Sequence, residues 1–149
     1  EAVRDSLYEK YQVRQEDGYD WATKEPACHG CFAAGINFGA SIISLLYGEG
    51  DLKETIKIGA LCGWDSDNPT STWGGLLGFL VGKTGVEKAF GRTFANQFNI
   101  HRTRIGFPQN GLDNFQAMGQ KGIFIIDRAV QEEMHGGVDL IKGIWYIPE

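Results

Sequence analysis

The sequence predicts a mainly α-helical protein, and three observations carry that expectation. Apolar residues recur at helical spacing along most of the chain, and no segment shows convincing period-2 alternation. The glycines, 21 in 149 residues, fall largely inside apolar segments instead of in linkers. Glycine inside a helix costs roughly 0.5–1 kcal/mol relative to alanine, so its repeated use there points to helices that cross at close range.

The totals bound the function classes. With 149 residues, 42% of them hydrophobic, the chain is long enough for one core and reads as a single domain over 1–149. A net charge of −5 offers no basic footprint for nucleic acid. No apolar run reaches the roughly 18 residues that would span a bilayer. The start, Glu1-Ala2-Val3-Arg4-Asp5, is not a signal peptide, which suits a cytoplasmic protein. It lacks an initiator Met, so the expectation is a processed product or a piece of something longer. Cys28 and Cys31 form a Cys-x-x-Cys pair and Cys62 stands alone. A zinc site needs a second pair, a thioredoxin-like motif needs a βαβ context, and haem attachment needs His after the second Cys, whereas His29 sits between them. Buried or reduced thiols are the expectation.

Taken in order, Ala2–Gln15 reads as a helix with Leu7, Tyr11 and Val13 inside. Glu16–Pro26 is a polar loop whose Tyr19 and Trp21 are core plugs or part of a binding wall, the plug being the commoner case. Cys31–Tyr47 is apolar on every side and is therefore expected to be central. Gly35 and Gly39 form a close-approach pair in it. Asn37 is its polar exception, and a buried Asn must find partners. It is either structural, the commoner case, or aimed at a ligand. Gly48-Glu49-Gly50 ends that helix. Asp51 caps Leu52–Leu61, with Glu54 placed as in a capping box and Ile56, Ala60 and Leu61 inside. Val86–Phe98 is a weaker helical stretch, and His101–Gly111 is a loop marked by Pro108 and Asn110-Gly111. Asp113 then caps a helix to about Met134, with Gln116 three residues on and Phe115, Met118, Ile126, Ala129 and Val130 inside. The tail ends in the apolar strip Ile144–Pro148, which suits an extended segment.

The stretch that points to chemistry is Gly63-Trp64-Asp65-Ser66-Asp67-Asn68-Pro69, followed by Thr70–Gly82. Asn68 is a good N-cap and Pro69 suits the first helical position. Trp73, Leu76, Leu77, Phe79, Leu80 and Val81 cover every side of the helix that follows, which predicts burial all round. Gly74, Gly78 and Gly82 form a stripe at which a backbone or bound group is expected to approach closely. Two carboxylates two residues apart suit a hard cation such as Mg²⁺, Mn²⁺ or Ca²⁺. Against that stands a purely structural reading, in which an Asp favours the positive helix end and Asn68 only caps. An EF-hand is excluded, because Thr70 takes the place of its Gly and Leu76 that of its bidentate Glu. Gly82-Lys83-Thr84 is not a phosphate loop, because position 77 is Leu77 and the segment closes a helix.

These residues carry a resemblance. Gly63-Trp64-Asp65-Ser66-Asp67-Asn68 with its glycine-rich helix resembles the second metal motif of the ADP-ribosylglycohydrolase family, usually Gly-Gly-Asp-x-Asp-Thr. The helix pair Phe32–Leu61 looks like the run into that motif. Thr103–Gly111 and the helix after it look like the tail of the larger microbial members. The resemblance spans roughly Glu16 to Trp145 and is most specific over Cys28–Gly82. It implies an all-α, orthogonal helix bundle around two Mg²⁺ (or Mn²⁺) ions. It implies hydrolysis of the glycosidic bond at the anomeric carbon of ADP-ribose, on modified proteins or on small ADP-ribose derivatives. By that resemblance Asp65, Asp67 and Asn68 are metal ligands, Asn68 standing where Thr is usual, and Asp67 is the carboxylate that activates water. Trp64 and Pro69 depart from the commonest pattern.

The family's first metal motif, a Thr-Asp-Asp run, has no counterpart here; Asp17-Gly18-Tyr19-Asp20 does not match it. The chain therefore looks like the C-terminal part of such a domain. His29, His101 and His135 are general-acid candidates by residue type only. Two other classes stay open: a module that binds ADP-ribose or a divalent cation without turnover, and a structural relative without activity. Apolar faces meant for a missing half would be exposed, so a homo-oligomer is expected.

Overall fold

The computed structural model describes residues 1–20, 33–100 and 105–149. It divides into two compact units, Glu1–Thr93 and Phe94–Glu149. The architecture is mainly helical, as the hydropathy pattern predicts. Among the described residues no helix is long and apolar enough to cross a membrane.

Among the described residues the first unit has four α-helices. Helix α1, Ala2–Leu7, runs on into a π-helical segment, Tyr8–Val13. Helices α2 (Ala34–Gly48), α3 (Leu52–Cys62) and α4 (Asp67–Phe90) pack on one another, and α1 packs on α2. The turn between α2 and α3 is tight: Glu49 takes a left-handed conformation, and the Asp51 N–H donates to the Gly48 carbonyl at 2.8 Å. Asp51 then caps α3 as expected, its Oδ1 accepting the Glu54 N–H at 2.8 Å. The Glu54 carboxylate does not close a capping box on itself; it pairs with Lys57.

The buried positions on α2 are Ile36, Asn37, Ala40, Ser44 and Gly48, and on α3 Leu52, Thr55, Gly59 and Cys62. A Cβ on Gly48 would lie 2.7 Å from the Thr55 Cα, so α2 and α3 touch backbone to backbone there. Gly59 lies against Ser44, Pro69 and Thr70, at the crossing of α2, α3 and α4. Gly39 faces Leu7 and Gly35 faces Tyr11, so the expected close-approach pair receives α1 and the π-helical segment after it.

Three expectations are corrected here. Helix α2 is not central on every side, since Phe38, Leu46 and Tyr47 are exposed. Helix α4 is not buried all round: Pro69 and Leu77 are buried, while Phe79 is 78% and Leu80 70% exposed. The stripe Gly74, Gly78, Gly82 is not a close-approach face. Gly74 and Gly78 make only ordinary contacts with Ile56 and Val86, and Gly82 turns to φ 66, ψ 174 and kinks the helix. For the first two the packing gives the reason: the close crossings form at Gly48 and Gly59, where small residues let backbones approach, and the bulky side chains of α2 and α4 lie away from those crossings.

The helical stretch expected over Val86–Phe98 is divided. Helix α4 continues to Phe90 and stops at Gly91 in the left-handed region. In the second unit β1 (Gln97–Asn99) pairs antiparallel with β2 (Leu112–Asn114), Phe98 opposite Asp113. A short 3₁₀ turn, Pro108–Gly111, precedes β2. Helix α5, Phe115–Arg128, follows and passes into a π-helical turn, Ala129–Glu133. Its cap is Asn114, whose Oδ1 accepts the Ala117 N–H at 2.7 Å, and not Asp113, whose Oδ1 accepts the Asn114 N–H at 2.8 Å instead. Phe115, Met118 and Ile126 are exposed, and Val130 is the buried residue of this stretch. The apolar tail is extended as expected: β3 (Gly137–Asp139) pairs with β4 (Ile144–Tyr146), and the Trp145 Nε1–H donates to Asp127 at 2.8 Å.

Candidate functional site

The acidic loop joins α3 to α4, and its backbone is shaped by two residues at positive φ. Gly63 adopts φ 92, ψ −163, a region open in practice only to glycine, and Trp64 follows at φ 57. Together they turn the chain sharply out of α3, so that Asp65 and Ser66 precede α4. Ser66 occupies the N-cap position of α4, with Asp67, Asn68 and Pro69 in the first turn. Asn68 is thus not the cap. Its N–H donates to the Asp65 carbonyl at 3.0 Å, and the Thr70 hydroxyl donates back to the Ser66 carbonyl at 2.9 Å. Pro69 still falls where a missing N–H has no intrahelical acceptor to lose.

The loop is held from outside by side chains far away in sequence. The Asp65 N–H donates to Asn37 Oδ1 at 3.1 Å, and Asn37 Nδ2 donates to the Ala33 carbonyl at 2.9 Å. The Trp64 ring packs against the buried pair Ala33 and Ile36, along with Leu7, Tyr11 and Tyr19. Its Nε1–H donates to Gln12 Oε1 at 3.0 Å. The Arg4 guanidinium lies 4.9 Å from the centre of the Trp64 ring, and its Nε donates to the Cys62 carbonyl at 3.1 Å. Arg4 therefore both stacks on the loop and satisfies a carbonyl at the end of α3. Burial pushes the Cys62 thiol pKa up, against a smaller opposing pull from Arg4 and the N-terminal ammonium.

One wall of a cleft of about 470 Å³ is α2, through Asn37, Phe38 and Ser41; the other is the loop and α4, through Asp65, Asn68, Thr72 and Trp73. The Trp73 Nε1–H donates to the Ser41 carbonyl at 2.7 Å and ties the two walls together. Asp65 is half-buried, and Asn68 and Asp67 are exposed. Asp65 and Asn68 thus share the cleft, while Asp67, in the first turn of α4, is not among the side chains that line it. Among the described residues, no three His, Cys, Asp or Glu side chains are grouped to hold a metal ion.

Asn37 proves structural in the sense that its amide is partnered, yet it also faces the cleft. Tyr19 is a core plug. Asp17, in the acidic cluster that does not match the first metal motif, accepts the Tyr19 N–H at 3.1 Å and shapes a turn. Cys62 is a buried free thiol. Trp21, Cys28, His29, Cys31 and His101 lie outside the described residues, and His135 belongs to the second unit. Arg4 and Gln12 have no signature in the sequence. Each is an ordinary polar residue of an amphipathic helix, and only the approach of Trp64 across some fifty residues gives it a role.

The sequence model of the ADP-ribosylglycohydrolase family matches residues 1–105. The match takes in α1 to α4 and the whole acidic loop, and the chain belongs to that family, whose members are hydrolases of ADP-ribosylated substrates. No curated protein and no solved structure matches the chain.

Proposed function

We propose that this chain carries the second metal motif of a metal-dependent hydrolase that cleaves the glycosidic bond of ADP-ribosylated substrates. The observation that carries the reading is the cleft beside the acidic loop, where Asp65 and Asn68 sit side by side opposite Asn37 in a chain of this family. The donor set fits a hard divalent cation: two carboxylates and a carboxamide, all oxygen donors, within one turn of backbone. Asp65, Asp67 and Asn68 would hold Mg²⁺ or Mn²⁺, two ions by the family pattern. Bound there, the ions supply Lewis-acid stabilisation of charge and an oriented water. The residues of the chain do the rest. Asp65 and Asn68 would offer oxygens from the cleft wall, Asp67 would take the proton from the water that adds to the anomeric carbon as the glycosidic bond breaks, with the departing group taking its proton from solvent, and Trp73, tied to Ser41, would close one side of the cleft.

A second reading, a module that binds ADP-ribose or a cation without turnover, is favoured by one observation. Asp67 is exposed and outside the cleft lining, which leaves the proposed base away from the wall where Asp65 and Asn68 meet. Calorimetric titration with Mg²⁺ and Mn²⁺, on the chain and on Asp65→Ala and Asp67→Ala, tests the site. Loss of binding in both variants supports it, and no binding to the unaltered chain overturns it. Release of free ADP-ribose from an ADP-ribosylated protein separates hydrolase from binding module.

A further inference from the structure

We propose that Asn37 is the positioning residue of the acidic loop: its buried amide fixes where Asp65 presents its carboxylate and so sets the affinity of the loop for a divalent cation. The proposal rests on the reading of the cleft as a cation site. Asn37 is 6% exposed, and both ends of its amide are used. Oδ1 accepts the Asp65 N–H, and Nδ2 donates to the Ala33 carbonyl, which also accepts the backbone N–H of Asn37 at 3.2 Å. That pairing dictates which end of the amide faces which partner, because an N–H needs an acceptor and a carbonyl needs a donor. Ala33 is itself 1% exposed and packed with Ile36, so the far end of the amide is anchored in the core.

The loop needs such an anchor. Gly63 and Trp64 both stand at positive φ, and the turn they make is followed by a helix whose N-cap side chain makes no capping hydrogen bond. Arg4 and Gln12 act on residues 62 and 64, while Asn37 acts on the backbone of Asp65 itself. Partners that orient metal ligands from the second layer typically change metal affinity 10- to 100-fold when removed.

The test compares the unaltered chain with Asn37→Leu, Asn37→Asp and Leu77→Ala, by Mn²⁺ calorimetry and by hydrogen exchange at the Asp65 amide. Leucine removes both hydrogen bonds at similar volume. Aspartate keeps the acceptor for Asp65 and loses the donor to Ala33. Leu77 is buried on α4 and lines neither the loop nor the cleft, so its truncation reports general destabilisation. Expected are a tenfold or greater loss of Mn²⁺ affinity and loss of Asp65 amide protection in Asn37→Leu. Asn37→Asp should retain that protection, and Leu77→Ala should melt earlier with affinity within about twofold of the unaltered chain. If Asn37→Leu does not fold, Asn37→Ala carries the same expectation. Unchanged affinity in a folded Asn37→Leu, or an equal loss in Leu77→Ala, overturns the positioning role and leaves the cation site standing. A chain that binds no cation overturns the site itself, and the positioning role with it.

Discussion

Substituting Gly48 by alanine should destabilise the first unit, against the ordinary helix preference. The added Cβ would lie 2.7 Å from the Thr55 Cα and 2.8 Å from its Cβ. Carbon atoms in comfortable contact are about 3.5–4.0 Å apart, so α2 and α3 would have to separate by about 1 Å. The obstructing atoms include backbone, so no rotamer change relieves the clash. Overpacking of this kind costs about 1–3 kcal/mol. The gain in helix propensity on replacing glycine is at most about 1 kcal/mol, and less at the last residue of a helix. The net expectation is a loss of about 1–2 kcal/mol. For a unit of this size that lowers Tm by about 5–15 °C. Urea and thermal denaturation followed by far-UV circular dichroism measure it. Gly119→Ala is the control: it lies in α5 with nothing within 4 Å of the added carbon, and should gain about 0.5–1 kcal/mol. A Gly48→Ala protein as stable as the parent would refute the backbone contact, and with it the claim that small residues define the helix crossings.

Other outcomes follow from the same packing. Thr55 is fully buried and its hydroxyl has no hydrogen-bond partner among the described residues, so Thr55→Val should be neutral or stabilising by about 1 kcal/mol in urea denaturation; a clear loss would reveal a missed partner. Because burial raises the Cys62 thiol pKa in the folded state, its contribution is complete below the pKa of the free thiol, near 8.5, and declines as pH rises through the folded value. The stability of the parent relative to Cys62→Ala should therefore fall between pH 7 and pH 10, and a constant difference would contradict that burial. Phe79 and Leu80 on α4 and Phe38 on α2 leave apolar surface exposed, which predicts self-association. Light scattering that shows a monodisperse monomer at all concentrations would count against it. Asn68→Ala should weaken Mn²⁺ binding less than Asp65→Ala, since a neutral amide oxygen contributes less to a dication than a carboxylate; equal losses would place Asn68 on a par with the acid.

Much of this protein is determined by local sequence, because the forces concerned act over one or two helical turns. The helical class, the Gly48-Glu49-Gly50 stop, the Asp51 cap and the position of the acidic loop between two helices are all of that kind. The family was legible in the same stretch, since the resemblance rests on Asp65, Asp67 and Asn68 with the helix behind them, and the family match over residues 1–105 takes that stretch in. Tertiary structure decided the rest. Hydropathy registered how apolar α2 and α4 are but not which neighbour covers them, and the close crossings at Gly48 and Gly59 sent the large side chains outward. The true caps, Ser66 and Asn114, differ by one or two residues from the expected ones, because the backbone turn at Gly63-Trp64 and the pairing of β1 with β2 set where each helix begins. Nor does any local pattern say that Asn37, 28 residues before Asp65, holds the loop in place. That contact exists only because α2 and α3 fold back on each other, and no periodicity along a single chain encodes which two distant residues the fold brings to hydrogen-bond distance.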